Sequence, residues 1–224
     1  MSPETELLSE RYFSIACPLC SGNSSFHLTF RQIDYYRCLN CNGIFLNPAH
    51  MLTPEEEKKR YELHNNDVND PKYQKFVMPL VESVQKNFSK NQIGLDFGCG
   101  TGPVITKLLK ESGYEVSQYD PFFYNDKKSL TRQYDYIICC EVIEHFSNPR
   151  KDFNLLRDLL RPGGKLYCMT EHLDDNVDFS GWYYKNDPTH LFFYHRNSYE
   201  WIKKSCGFTG FVLKGRIVEF HNES

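Results

Sequence analysis

The sequence predicts an α/β fold, a doubly wound and mostly parallel sheet preceded by a small cysteine-bearing module. Three observations carry this expectation. A short apolar strand, Ile93 to Phe97, runs into the alternating glycines Gly98, Gly100 and Gly102 and then into a helical stretch. An unbroken apolar run, Tyr136 to Cys140, has the character of a central parallel strand covered on both faces, and an amphipathic stretch and the turn Pro162-Gly163-Gly164 follow it. Near the start, Cys17-Pro-Leu-Cys20 and Cys38-Leu-Asn-Cys41 form two Cys-x-x-Cys pairs.

In chain order, residues 1–10 read as an acidic tail rather than a basic, apolar leader. The 224 residues, 40% hydrophobic with a net charge of -3, suffice for one full domain and a small second one. No apolar stretch approaches the roughly 20 residues needed to span a bilayer, so no membrane partner is expected. Nine cysteines, an odd count, with Cys139, Cys140 and Cys168 on apparent buried strands, favour reduced thiols and a cytoplasmic setting.

Residues 11–50 read as a zinc ribbon. The two cysteine pairs have its spacing, Gly22 and Gly43 each follow two residues after the second cysteine, and Phe26 to Phe30 and Asp34 to Arg37 suit two short strands. A module of about 40 residues buries too little surface to fold unaided, so the metal would supply its folding energy. With Cys17, Cys20, Cys38 and Cys41 filling all four positions, the zinc is expected to be structural. A redox dithiol pair and an iron–sulfur site are the competing readings. Between Phe13 and Asn47 only Arg31 and Arg37 are cationic, poor equipment for gripping phosphates, so nucleic acid is not expected as a partner.

Residues 51–90 read as a helical linker and cofactor lid. Pro54 with Glu55 to Glu57 marks one helix start, and Pro71 opens a second helix with Phe76, Val77, Leu80, Val81, Val84 and Phe88 in one stripe and a kink expected at Pro79. The loop His64-Asn65-Asn66 between them is placed to close over a cofactor, or is simply solvated.

Residues 91–224 carry the main sheet. A chain turning from strand to helix through Gly98, Gly100 and Gly102 needs residues that tolerate positive φ and lack a Cβ, so that backbone N–H groups can approach a ligand. A plain glycine turn is the alternative. After a helix over about Pro103 to Ser112, the strand Tyr114 to Asp120 ends in a carboxylate positioned to accept both ribose hydroxyls, or merely to form an Asp-Pro turn. Only Pro121 to Gln133 separate it from the next strand, too few residues for another strand with its crossovers, so the third strand of a full doubly wound sheet is expected to be lost. Helices over Pro149 to Arg161 and Ser198 to Cys206, a strand Lys165 to Thr170 and a final hairpin Gly207 to Phe220 turning near Lys214-Gly215 complete the sheet. Between them lies an aromatic insertion with Trp182, Tyr183, Tyr184 and Asp187-Pro-Thr-His190, read as a substrate lid. His190 is the candidate general base, oriented by Asp187, unless it only packs against its aromatic neighbours.

Asp96-Phe-Gly-Cys-Gly-Thr-Gly102, Asp120, the block Tyr134 to Asn148 and the turn Pro162 to Gly164, arriving in this order, resemble the motifs of class I S-adenosylmethionine-dependent methyltransferases. The resemblance covers about Asn91 to the C-terminus and implies a Rossmann-like fold, S-adenosylmethionine as cofactor, and Asp96, Gly98, Gly100, Gly102, Asp120 and Glu141 as cofactor-binding residues. With the third strand goes the acid that commonly meets the adenine amino group, leaving Phe122 and Phe123 to stack on the base. Glu141-Val-Ile-Glu144-His145 is similar to the divalent-ion ligands of ubiquinone-pathway O-methyltransferases and of small-RNA 2′-O-methyltransferases, which makes Glu141, Glu144 and His145 a possible cation site and His145 a second catalytic candidate. In other relatives that histidine only caps a helix or holds a loop. The cysteine module resembles that of bacterial small-molecule and deoxysugar methyltransferases, so a small-molecule acceptor is expected, with the ribbon packed on the catalytic domain or a partner subunit. An RNA methyltransferase and a non-catalytic scaffold are the alternatives.

Overall fold

The computed structural model describes residues 15–63 and 66–223. The tail over 1–10 lies outside the described residues, as do His64 and Asn65 of the linker loop. Three short strands come first: β1 (Ser24–Phe30), β2 (Ile33–Cys38) and β3 (Ile44–Leu46). β1 and β2 form a hairpin running from the pair Ser24 and Cys38 to the pair Phe30 and Ile33, and β3 adds antiparallel to β2.

Two linker helices follow. α1 (Pro54–Glu62) begins with a capping box in which Thr53 and Glu56 satisfy each other's backbone N–H, and its first turn holds Glu55, Glu56 and Glu57 where the macrodipole favours them. α2 (Pro71–Asn87) runs without interruption through Pro79 and buries Val77, Leu80, Val81 and Val84. Phe76, expected in that buried stripe, is instead 39% exposed beside the guanidinium of Arg216, 5.2 Å from the ring centre.

The main sheet is built from β4 (Ile93–Phe97), β5 (Glu115–Tyr119), β6 (Tyr134–Cys140), β7 (Leu160–Met169), β9 (Gly210–Lys214) and β10 (Ile217–Asn222), with α3 (Val104–Glu111) and α4 (Pro149–Asp158) as crossovers. Its order is β5-β4-β6-β7-β10-β9. The first four strands are parallel, and β10 runs antiparallel to both β7 and β9. β5 is the outer strand on its side: between Tyr119 and Tyr134 the chain makes only an Asp120–Tyr124 bridge and a short 3-10 turn over Lys127–Leu130. The missing third strand is therefore a feature of the fold.

The period-two alternation of strands sends side chains to both faces. Tyr136 and Ile138 of β6 join Val81, Val84, Leu109 and Tyr167 under α2 and α3. Ile137 and Cys139 face the other way, onto Phe153, Leu156 and Tyr199. The same second core contains Cys17, Leu19, Cys38, Cys41 and Phe45 of the cysteine module. The aromatic insertion contributes a two-residue strand, β8 (Phe192–Phe193), that pairs with β3, so the module's sheet reads β1-β2-β3-β8. α5 (Arg196–Cys206) follows at once, and its Ser198 hydroxyl donates to the Cys41 carbonyl at 3.0 Å. The insertion, read as a lid, is thus in part a seam between module and sheet. Among the described residues no helix is long and apolar enough to cross a membrane.

Candidate active site

The carboxyl ends of the parallel strands open into a cavity of about 560 Å³, in the range of small-molecule sites. Gly98, Cys99, Gly100 and Thr101 form one wall. Gly98 and Gly100 sit at φ of 74° and 62°, and a Cβ at Gly98 would lie 2.6 Å from Val142. Gly102 has no positive φ and does not line the cavity. Its missing Cβ makes room for the backbone of Asn66, whose oxygen would otherwise be 1.9 Å away. Asn66 also donates its amide to the Thr101 hydroxyl at 3.1 Å, so this end of the linker loop does lie over the glycines.

The two expected anchoring carboxylates are placed differently. Asp120 lies at the cavity wall, where Oδ2 accepts the Gly100 N–H at 3.0 Å and Oδ1 accepts those of Phe122 and Phe123 at 2.8 and 3.0 Å. The turn reading holds, and the same turn sets the carboxylate at the cavity wall. Asp96 is fully buried behind the loop, accepts from the Thr106 hydroxyl at 2.8 Å and does not line the cavity, so it joins β4 to α3 rather than facing a ligand. Burial pushes its carboxyl up to about 6.

Glu141, directly after β6, takes φ 52°, a conformation that strains a side-chain-bearing residue. It is held there by the Arg216 guanidinium at 2.8 Å and the Tyr184 hydroxyl at 3.2 Å, and burial and the neighbouring Glu144 push its carboxyl up to about 8. The cation set expected from Glu141, Glu144 and His145 is accordingly corrected: Glu141 is tied to Arg216, and the three residues whose ligand atoms lie within 4.8 Å of one another are Glu144, His145 and His190. Glu144 is fully buried, accepts a short hydrogen bond from the Tyr184 hydroxyl, and leaves its Oε2 without a partner.

The two histidines are oriented alike. His145 Nδ1 lies 2.8 Å from the Thr189 carbonyl and His190 Nδ1 lies 2.7 Å from the Tyr184 carbonyl. A carbonyl only accepts, so Nδ1 carries a proton in each ring. Their ring centres are 4.8 Å apart. Burial first, and then the adjacent His145, push His190 down to about 4, so it stands neutral at pH 7. Asp187, expected to orient His190, instead accepts from the Thr189 backbone and hydroxyl at 3.0 and 2.7 Å and pairs with Arg60 at 3.0 Å. The orienting group is the Tyr184 carbonyl.

Sequence reasoning missed the part played by α1. Its Tyr61 ring stands edge-on to His145 at 5.4 Å and 5.9 Å from Phe122, its hydroxyl donates to Glu57 at 2.7 Å, and Arg60 reaches Asp187. Glu55 to Glu57 read only as the acidic first turn of a helix, and nothing local marks Glu57 and Tyr61 as cavity walls. Arg216 was missed because its partners Glu141 and Glu171 are remote in sequence.

The four cysteines converge as the spacing predicts. Four thiolates about 2.3 Å from a tetrahedral zinc stand about 3.8 Å from each other. Here Cys17 and Cys41 are 3.7 Å apart, Cys20 and Cys38 are 3.3 Å apart, and Cys38 Sγ accepts the N–H groups of Asn40 and Cys41 at 3.4 Å each. The two knuckles share one backbone pattern, Cys17 N–H to Gly22 O and Cys38 N–H to Gly43 O. Positive φ falls on Ser21 and Asn42, one residue before each glycine. The glycines are required for space instead: a Cβ on Gly43 would meet the Phe192 ring at 2.4 Å. The thiolate set fits a closed zinc site.

Comparison with known proteins agrees with this geometry. The methyltransferase domain family matches residues 70–211. The ubiquinone biosynthesis O-methyltransferase of Erwinia tasmaniensis is 29% identical over 91 residues, 41% of this chain and 37% of that protein, so the match spans little more than a third of that relative's length. Among solved structures, the 1,6-didemethyltoxoflavin-N1-methyltransferase of Burkholderia thailandensis superposes with a TM-score of 0.54 at 12% identity, over 89% of this chain and 99% of that one. Human N-acetylserotonin methyltransferase in complex with S-adenosylmethionine gives 0.52 at 12% identity, over 77% and 57%. At such identities the likeness is one of fold. The parallel sheet, the glycine loop and the acid after β5 are features of the class I S-adenosylmethionine-dependent methyltransferase fold. The chain belongs to the methyltransferase domain family, here with a cysteine module whose own sheet is completed by β8 of the aromatic insertion.

Proposed function

We propose that the protein transfers a methyl group from S-adenosylmethionine to a small-molecule acceptor inside the cell. The observation that carries this reading is the cavity itself, walled by the glycine loop and Asp120 at one part and by His145, His190 and Tyr61 at another. Gly98 and Gly100, bare of side chains, let the loop backbone come close to the cofactor, Asp120 accepts from the ribose hydroxyls, and Phe122 and Phe123 flank the base. The cofactor supplies an electrophilic methyl on sulfur, and displacement there needs a nucleophile held in line. Walls from α1 and the aromatic insertion position that acceptor and limit water. A neutral His190 with Nε2 unprotonated accepts the proton that a hydroxyl or amine acceptor sheds, and His145 beside it likewise turns Nδ1 to a backbone carbonyl.

A second reading concerns the same corner. Glu144, His145 and His190 would together hold a divalent cation, and the unpartnered Oε2 of a fully buried Glu144 favours it. Such an ion would lower the pKa of acceptor hydroxyls. In either reading Cys17, Cys20, Cys38 and Cys41 hold a structural zinc.

The test is transfer from methyl-labelled S-adenosylmethionine into separated cell fractions. Label is expected in the small-molecule filtrate. Label confined to RNA would replace this reading with RNA methylation, and tight cofactor binding with no transfer to any fraction would leave a scaffold.

A further inference from the structure

The main sheet ends at β5, so no further strand is present among the described residues to carry an acid to the base. The carboxylates in the cavity wall are Glu57, Asp120, Glu141, Asp152 and Asp187. Three of them are committed to protein partners, and Asp120 is the carboxylate already read as the ribose acceptor. Glu57 accepts from Tyr61, Asp120 from three backbone N–H groups, Glu141 from Arg216, and Asp187 from Thr189 and Arg60.

Asp152 is different. It lies in the first turn of α4, its own N–H donating to the Asn148 carbonyl at 3.1 Å, and it shares the cavity wall with Phe146, Ser147 and Leu155. Among the described residues its carboxylate enters no ion pair and accepts from no side chain; the Asn148 backbone and the Lys151 charge are what face it. Desolvation raises its carboxyl to about 6, against that backbone group and that charge, which is the mark of an acid held in a partly dry wall. A first-turn carboxylate also suits the helix macrodipole, but that role is satisfied equally well by a side chain pointing to water.

Resting on the reading of this cavity as the S-adenosylmethionine site, we propose that Asp152 reads the exocyclic amino group of the adenine, replacing from α4 the acid that a strand beyond β5 would have carried. A carboxylate accepts from that amino group in a charge-assisted hydrogen bond and repels a carbonyl oxygen in the same place. The protein would thereby select an adenine base over a hypoxanthine base without a third strand.

The experiment compares S-adenosylhomocysteine with S-inosylhomocysteine by calorimetric titration of the full chain. Wild type is expected to prefer the adenosyl ligand by about tenfold or more, the weight of one hydrogen bond to a charged group. In Asp152→Asn, whose amide both accepts and donates, the preference is expected to narrow to about threefold or less. Asp152→Ala should narrow it as well, through weaker adenosyl binding, with an unchanged melting curve. Glu57→Gln should keep the wild-type ratio. Retention of that ratio in both Asp152 variants would overturn the proposal, as would its collapse in Glu57→Gln alone. Wild type binding neither ligand would instead remove the cofactor reading beneath it.

Discussion

Among the described residues the chain holds two clusters of metal-capable side chains, and they are built in opposite ways. Cys17, Cys20, Cys38 and Cys41 lie in an apolar core, each pair set on a backbone knuckle of its own, with four thiolates to complete a tetrahedron. Glu144, His145 and His190 come from the loop after β6 and from the aromatic insertion, offer three groups at most, and adjoin a cavity. A closed set of four soft ligands leaves no position for a substrate, whereas an incomplete set beside open space does. The first arrangement can only hold structure together; the second can act on a molecule.

Substitutions should separate the two regions. Cys38→Ser removes a ligand from the closed site, and the module's share of the fold should fail with it: zinc content near zero, a lower melting temperature, and loss of several kcal/mol as metal-linked folding is forfeited. Because β8, from the insertion that also carries His190, pairs with β3 of the module, the damage should reach the cavity too. Were Cys38→Ser to melt like wild type, the module would not be metal-stapled.

At the open cluster the effect should fall on rate. His190→Ala is expected to lower turnover by about 100-fold, within the usual range for a proton-transfer group, while S-adenosylhomocysteine affinity stays within about twofold. If the cation reading holds, chelator should abolish activity and Mg²⁺ or Mn²⁺ should restore it without a change in melting temperature.

Asp120→Ala should weaken S-adenosylhomocysteine binding by about tenfold, because it removes a ribose acceptor and also frees the N–H groups of Gly100, Phe122 and Phe123. The melting temperature should change little. A variant with unaltered affinity would leave Asp120 as a turn residue only.

The smallest effect concerns Asp96. Its folded carboxyl, raised to about 6, holds a proton more tightly than in the unfolded chain, so this residue's contribution is most favourable below about pH 4 and is lost as pH rises through 6. Asp96→Asn keeps an acceptor for Thr106 but has no charge to bury. Relative to wild type, its stability should therefore rise between pH 4 and 6, by on the order of 2–3 kcal/mol at most. A flat difference across that range would show that Asp96 is not desolvated.

The halves of the site differ in how far the sequence discloses them. The glycine loop, Asp120 and the short passage to Tyr134 were legible because each is local: strand, turn and helix follow within a few residues, and a missing strand shows as missing length. The cysteine knuckles were legible for the same reason. What stayed hidden depends on long-range register. Phe192 and Phe193 have no period to mark them as a strand, and only their pairing with Phe45 and Ile44 makes them one. The guanidinium of Arg216 selects Glu141 and so frees His190 to complete the cluster with Glu144 and His145. Asp187 stands three residues before His190, yet its hydrogen bonds go to Thr189 and Arg60. Nearness in sequence was a poor guide there because a turn satisfies its own backbone first.

The central claim is that the crook at Gly98 to Gly102 receives S-adenosylmethionine. Titration of S-adenosylhomocysteine into wild type and Gly98→Val tests it most directly, since a Cβ at Gly98 collides with Val142 and a β-branched residue resists φ of 74°. Saturable one-site binding by wild type and none by the variant is the predicted result. Absence of binding by the wild-type protein, or equal binding by a folded Gly98→Val, would contradict the account.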